Sequence, residues 1–302
     1  MATQVTISNK WYACRSPLSQ ATALTAILEE EGFGPVNLKP TLKYLQENFT
    51  NVDRHGCENI ATKMRVPDKF RHVMVIPRRR LLMRQYMTIG RIAAKITLFR
   101  YKVLRGDKDS PKDDCRRFRS CSKLLAKIVR QSGVRLENHL IIGGHGEEIN
   151  KYAVDERLLY KRMQPDVRTK SALDQLKKIQ PDGDLIVVPF YIPDEPVNIT
   201  TKSVREGFSR GEFGLNSWML GYSLCAQIGN YDLRENGPFI PEKNDLEVSC
   251  PGDVYTLPEP KVKKDCTTIF SWKDSALQID LLPVNATIPH RPAIGFIPTE
   301  WR

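Results

Sequence analysis

The sequence of 302 residues lacks several features that would assign it to a familiar class. No stretch approaches the roughly 18 uncharged apolar residues of a transmembrane helix, which excludes a membrane span. Neither C-x-x-C nor H-E-x-x-H occurs, so no motif for a metal is present, and we expect no cofactor. The Walker and dinucleotide-binding fingerprints are also missing, which excludes the common nucleotide-binding folds as an interpretation.

Two further absences bear on where the protein functions. The N-terminal sequence MATQVTISNKWYAC has no apolar core of the kind that secretory signals carry. The seven cysteines are odd in number and widely spaced, which is not the pattern of a disulfide framework. We therefore expect a reduced, intracellular protein.

What the sequence does contain is an uneven distribution of charge. In total, 46 Lys and Arg face 35 Asp and Glu, a formal net charge of +11. Residues 61–130 hold 21 basic and 5 acidic side chains, a net charge of +16, whereas the other 232 residues hold 25 and 30, a net charge of −5. Such a dense surplus is costly without a counter-charge, and it indicates a polyanionic partner: nucleic acid, anionic lipid or an acidic protein.

The first half of the basic segment, residues 78–105, predicts an amphipathic helix with one basic face. At about 100° per residue, five cations fall within an arc of about 60°, and ten apolar residues gather on the other side. These cations are Arg80, Arg84, Arg91, Lys95 and Lys102. Two alternatives stay open, because Thr97–Leu104 also alternates as a strand and Gly90 could end a shorter helix.

Residues 115–130 repeat this pattern, with the paired carboxylates Asp113 and Asp114 placed to cap the helix. The cations of its basic face are Arg116, Arg119, Lys123, Lys127 and Arg130. The connection 106–112 is short and polar, so the two helices are expected to lie antiparallel and to line one groove. Neither basic face contains an acidic partner, as a solvated helix face usually would.

Aligned Arg and Lys side chains suit a phosphate backbone, because they neutralise charge without reading base identity. Tyr101 lies off the apolar stripe and is the best candidate for stacking on an unpaired base. The most enzyme-like string is the glycine-rich turn around His145. Glu147 and Glu148 follow it in the first turn of a predicted helix, where their charge would repel a phosphate.

Hydrophobic patterning also predicts individual elements. The runs 72–76, 184–191, Thr267–Trp272 and Leu277–Leu282 predict strands, and residues 169–179 predict a helix. Thr41 could cap another helix that continues to Phe49.

For the fold, we predict an α+β, helix-rich protein. Residues 1–135 form a helical N-terminal and central region with the basic helix pair, and residues 136–230 form a mixed α/β region. Residues 231–302 carry 9 of the 20 prolines and predict a loop-rich, short-stranded C-terminal region ending in an arm. The apolar tail 293–297 either closes the chain's own core or docks on a neighbouring subunit.

For the function, we predict a sequence-independent RNA-binding structural protein of a ribonucleoprotein assembly, without enzymatic activity. In physical type it resembles a viral nucleoprotein, so we expect a homo-oligomer in the cytoplasm or the virion. The basic trio Arg78-Arg79-Arg80 keeps the nucleus as an alternative. Two other functions compete: a peripheral matrix-type protein on an anionic membrane surface, and an enzyme with a scattered site near His145.

Overall fold

The computed structural model describes residues 15–30, 34–54, 61–78, 163–228, 247–257, 264–273 and 276–300. The helices within these ranges are α1 (Pro17–Glu30), α2 (Lys39–Asn48), α3 (Val167–Ile179), α4 (Thr201–Glu206) and α5 (Ser217–Ile228). The strands are β1 (Met64–Arg65), β2 (His72–Pro77), β3 (Met163–Pro165), β4 (Leu185–Tyr191), β5 (Glu212–Gly214), β6 (Val248–Leu257), β7 (Lys264–Lys273), β8 (Ala276–Pro283), β9 (Arg291–Pro292), β10 (Ile294–Phe296) and β11 (Thr299–Glu300).

Two sheets organise this part of the chain. The first has the strand order β2-β4-β10-β5, and each neighbouring pair is antiparallel. The second follows the antiparallel path β3-β6-β7-β8, and the short strand β9 pairs with β6 in parallel. Strands β1 and β11 form a separate two-stranded ribbon. Because the first sheet combines residues 72–77 with residues 294–296, contacts distant in sequence build its core.

The prediction of a helix-rich fold is wrong. Helix and strand are almost balanced in the described residues, at about 34% and 30%. The C-terminal region is not short-stranded either, since β6 and β7 each run for 10 residues. Its prolines were misleading because Pro251 lies where the register of β6 shifts between Cys250 and Tyr255, and a bulge of this kind tolerates proline.

The apolar runs of the sequence correctly predicted the central strands. Residues 72–76 and 184–191 were expected to be strands, and they correspond to β2 and β4. Both strands are almost wholly buried: α1 and α5 pack against β2, while α2 and α3 pack against β4. A short, continuous apolar run is typical of a strand covered in this way.

Two buried glutamines pair with backbone groups of β2 and β4, the first two strands of this sheet. The Gln20 side chain donates to the Val73 carbonyl at 3.2 Å and accepts from the Val75 amide at 3.3 Å. Gln180 does the same for one residue of β4, donating to the Val187 carbonyl at 2.6 Å and accepting from its amide at 2.8 Å. Each amide group therefore satisfies backbone groups that a neighbouring strand would otherwise pair.

The apolar tail closes the chain's own core. Its residues 294–296 are β10, which lies between β4 and β5 inside the first sheet. Ala293 is fully buried, and Ile294 and Phe296 are less than a tenth exposed. The structure therefore shows the tail packed within its own chain and not extended towards a neighbouring subunit.

Two compositional expectations can be compared with the described residues. None of the helices described is both long and apolar enough to cross a bilayer. Cys250 and Cys266, the cysteines with a described environment, are both buried. Burial, and to a lesser extent the charge of Asp253, raises the pKa of the Cys250 thiol. This thiol therefore stays protonated and is a poor nucleophile.

Candidate functional site

The predicted phosphate-binding residues all lie outside the described residues. They are Arg80, Arg84, Arg91, Lys95, Lys102, Arg116, Arg119, Lys123, Lys127 and Arg130. Tyr101 and His145 lie outside them as well. What the structure does show is how the described residues, here called the body, hold Arg78 and Met163, which flank residues 79–162.

The first end is fixed by Arg78, the residue that follows β2. Its amide donates to the Asp184 carbonyl at 2.7 Å and so extends the pairing of β2 with β4. Its guanidinium donates to the Lys177 carbonyl at 3.2 Å and to the Gln180 carbonyl at 3.3 Å, at the C-terminal end of α3. A cation placed there satisfies carbonyls that lack helical partners and complements the helix dipole.

Arg78 therefore has a structural role that the sequence pattern did not reveal. The sequence places it in the basic trio Arg78-Arg79-Arg80, a candidate nuclear signal, yet its side chain is only 16% exposed. It also pairs with Asp182, with 3.4 Å between Nη1 and Oδ1. The signal for this role lies about a hundred residues away in the chain, in the carbonyls that end α3.

Substitution of Arg78 by Ala is expected to lower the free energy of unfolding by about 2 kcal/mol, because charge-assisted hydrogen bonds at a helix terminus are lost. Urea unfolding followed by circular dichroism measures the change. The matched control is Lys178→Ala, since Lys178 is exposed in the last turn of the same helix. Equal stability of the two variants would show that Arg78 does not anchor α3.

The second end of the segment is fixed where β3 leads into α3. Strand β3 pairs with β6, and the Asp166 amide donates to the Gly252 carbonyl at 2.8 Å. The Asp166 carboxylate then caps α3 by accepting from the Arg168 amide at 3.0 Å. The Arg168 guanidinium donates to the carbonyls of Glu212, at 2.7 Å, and Phe208, at 3.1 Å.

The two ends of residues 79–162 are held at opposite ends of α3. Arg78 binds the C-terminal end of this helix, and Met163 begins the strand that leads into its N-terminal end. A helix of 13 residues is about 20 Å long at about 1.5 Å per residue. Arg78 and the Asp166 cap therefore lie at opposite ends of a helix about 20 Å long.

The net charge of the described residues can be compared with that of residues 79–130. The described residues hold 19 basic and 18 acidic side chains, a net charge of +1. Residues 79–130 hold 16 basic and 4 acidic, a net charge of +12, whereas residues 131–162 hold 5 of each. The surplus of the whole chain is thus concentrated in one stretch of 52 residues that follows Arg78 directly.

The most polar buried cluster in the body surrounds Asp253, on the bulge of β6. Its carboxylate Oδ2 accepts from the Ser217 amide at 2.8 Å, at the start of α5, and is 3% exposed with the rest of the residue. Arg205 donates to the Pro251 carbonyl at 2.8 Å and to the Asp253 carbonyl at 2.5 Å. Burial lowers the pKa of Arg205, while Asp166, Asp253 and Asp265 act in the opposite direction.

The contacts described for this cluster join side chains to backbone groups. Asp253 satisfies an amide at the N-terminal end of α5, and Asn216 Oδ1 accepts a second one, from Met219, at 3.0 Å. Within the described ranges, no three or more His, Cys, Asp or Glu side chains are grouped to hold a metal ion. The cluster instead ties α4, α5 and β6 together.

Comparison with known proteins places the chain in no family. No protein-family model, curated protein or solved structure matches it. The fold and its attachment points define a mixed α/β body of nearly balanced charge whose chain carries a strongly basic stretch between β2 and β3.

Proposed function

We propose that the protein binds RNA through the phosphate backbone, without sequence preference, as a structural component of a ribonucleoprotein assembly. The separation of charge along the chain carries this proposal: +12 in residues 79–130 against +1 in the whole described body. The ten cations predicted to line the basic groove are the proposed phosphate contacts.

Counterion release is the proposed source of affinity. Each Lys or Arg that neutralises a phosphate frees a condensed cation, so affinity grows with the number of contacts and falls steeply with salt. Arg adds a planar donor fork that binds phosphate in a bidentate manner, and residues 79–130 contain more Arg than Lys. A body of nearly zero net charge does not repel RNA as a whole.

The attachment points support a binding role for the segment. Arg78 and Arg168 each donate several hydrogen bonds to backbone carbonyls of the body, so both ends of residues 79–162 are held firmly. No chemistry is assigned to this arrangement, and the protein is proposed to be a binding protein and not an enzyme. Self-association along RNA belongs to the proposal, although the internal strand β10 does not supply the contact.

Purification under native conditions tests this proposal. The full chain, isolated without nuclease, is expected to show an A260/A280 ratio typical of bound nucleic acid, and ribonuclease is expected to abolish that excess. A nucleic-acid-free protein that also fails to bind added single-stranded RNA at low salt would overturn the proposal.

The same cations would also attract anionic lipid, as in a matrix-type protein. Liposome flotation distinguishes membrane binding from RNA binding. Under the RNA-binding proposal, excess RNA is expected to displace the protein from vesicles containing phosphatidylserine. Flotation that persists in excess RNA would favour the membrane-associated protein. The expected site of action, the cytoplasm or the virion, belongs to the same proposal.

A further inference from the structure

The body has a basic surface of its own, made by the loops that precede β2 and β5. Its exposed cations are Lys63, Arg65, Arg71 and Arg210. We call this set the loop surface. The first three belong to the basic segment 61–130 of the sequence, whereas Arg210 lies far from that segment in the chain.

Backbone contacts bring these loops to one end of the first sheet. The Ile297 amide donates to the Gly211 carbonyl at 2.9 Å, which places Arg210 beside the last residues of the chain. Two residues further on, Thr299 pairs with Arg65 across the β1–β11 ribbon. Since two extended residues span about 7 Å and each paired step adds about 5 Å, Arg65 lies within roughly 17 Å of Gly211 along this path.

A small aromatic core beneath the loops fixes this arrangement. Phe70 packs on Phe296 with 4.9 Å between ring centroids, and both side chains are buried. Lys69 Nζ lies 2.5 Å from the buried carboxylate Oε1 of Glu212, which joins the loop before β2 to the start of β5. Arg71 Nε donates to the Asp68 carbonyl at 2.8 Å and holds its own turn.

The loop surface lies next to the N-terminal end of α3, which follows residues 79–162 in the chain. Arg168, in the first turn of α3, donates to the carbonyls of Phe208 and Glu212, which flank Arg210. The loop surface is therefore tied to the N-terminal end of α3, close in the chain to Met163, where the described residues resume.

We propose that the loop surface is a second contact for the RNA backbone, in which Lys63, Arg65 and Arg210 bind phosphates. This inference rests on the proposed function and extends it from residues 79–130 to the body. Exposed Lys and Arg side chains around a fixed loop contact phosphates without reading bases, so this contact adds affinity and salt dependence and no sequence preference.

The test compares two triple variants of the full chain for binding to a fluorescent single-stranded RNA. In the first, Lys63, Arg65 and Arg210 are each changed to Gln; in the control, Lys39, Lys43 and Lys178 are changed to Gln. The control residues are exposed and lie towards the far end of α3, where Gly183 contacts Pro40. We expect about tenfold weaker binding for the first variant and less than twofold for the control. Equal binding of the two variants would overturn the inference.

Acetylation of the unmodified protein gives a second measurement that does not depend on how a variant folds. RNA is expected to protect Lys63 from acetylation and to leave Lys39 unprotected, as read by mass spectrometry of the peptides. If RNA binds but Lys63 is not protected, the inference fails and the proposed function stands. If RNA does not bind the unmodified protein, both fail. Protection of Lys63 by anionic vesicles and not by RNA would also overturn the inference.

Discussion

Charge reversal at five positions of the basic segment is expected to abolish binding to single-stranded RNA. The substituted residues are Arg84, Arg91, Lys95, Arg119 and Lys123, each changed to Glu. The net charge of residues 79–130 falls from +12 to +2, since each substitution removes two units. Phosphate contacts become repulsive, and the counterion release that drives binding is lost. Fluorescence anisotropy with labelled RNA at moderate salt measures the loss.

The matched control makes the same change of charge on the body. Lys39, Lys43, Lys170, Lys178 and Lys202 are exposed in the described helices, and their replacement by Glu also lowers the net charge of the chain from +11 to +1. We expect this control to retain most of its affinity. If both variants lose binding alike, the net charge and not the segment determines affinity. Both variants are expected to keep the far-ultraviolet spectrum of the unmodified protein.

Replacement of Gly252 by Ala is expected to prevent the body from folding. Gly252 crosses Gly214 of β5 at backbone contact distance, and its amide donates to the Leu215 carbonyl at 2.9 Å. A Cβ atom on Gly252 would lie 2.2 Å from the Gly214 carbonyl oxygen, and one on Gly214 would lie 2.3 Å from the Gly252 nitrogen. Because backbone atoms cannot rotate away as a flexible side chain could, we expect a loss of about 4 kcal/mol or more.

Soluble yield and the midpoint of urea unfolding measure this effect. Gly207→Ala is the control, because Gly207 follows α4 with a φ of −82°, which alanine adopts readily. A Cβ atom there would lie 3.3 Å from the Ser203 carbonyl oxygen, a tight contact that a small shift relieves. An unchanged unfolding midpoint in Gly252→Ala would show that the two strands do not cross as described.

The sequence was sufficient to predict elements whose side-chain pattern is local. The apolar run of β2 and the run of β4 were recognised, and Thr267–Trp272 and Leu277–Leu282 were expected as strands and lie in β7 and β8. Helix α3 was expected over residues 169–179 and begins at Val167, because Asp166 caps it. In each case hydrophobic spacing within about ten residues contains the signal.

Elements that depend on distant partners were not predictable in this way. Thr41 was expected to cap α2, yet it lies inside that helix and its hydroxyl donates to the Leu185 carbonyl at 3.2 Å. The contacts of Gln20 and Gln180 likewise involve backbone groups that only the fold brings together. The helix-rich prediction failed for a related reason, because prolines around β6 masked strands that a bulge accommodates.

The same distinction between local signals and distant contacts applies to the candidate site. Charge counting located the basic segment, because charge is a property of composition, and it named the ten cations that remain predictions. The near-neutrality of the body, the attachment by Arg78 and the link from Gly211 through β11 to Arg65 required the structure. The segment that carries most of the surplus positive charge is accordingly narrowed from residues 61–130 to residues 79–130.

The salt dependence of RNA binding tests the central claim most directly. For single-stranded RNA, the logarithm of the binding constant is expected to fall linearly with the logarithm of salt concentration, with a slope of about −0.7 for each phosphate contacted. Neutralising Arg119 and Lys123 by substitution with Gln is expected to make the slope shallower by about 1.4. A steep slope that flattens in this variant agrees with phosphate binding by residues 79–130. A slope near zero, or one that the variant leaves unchanged, would contradict it.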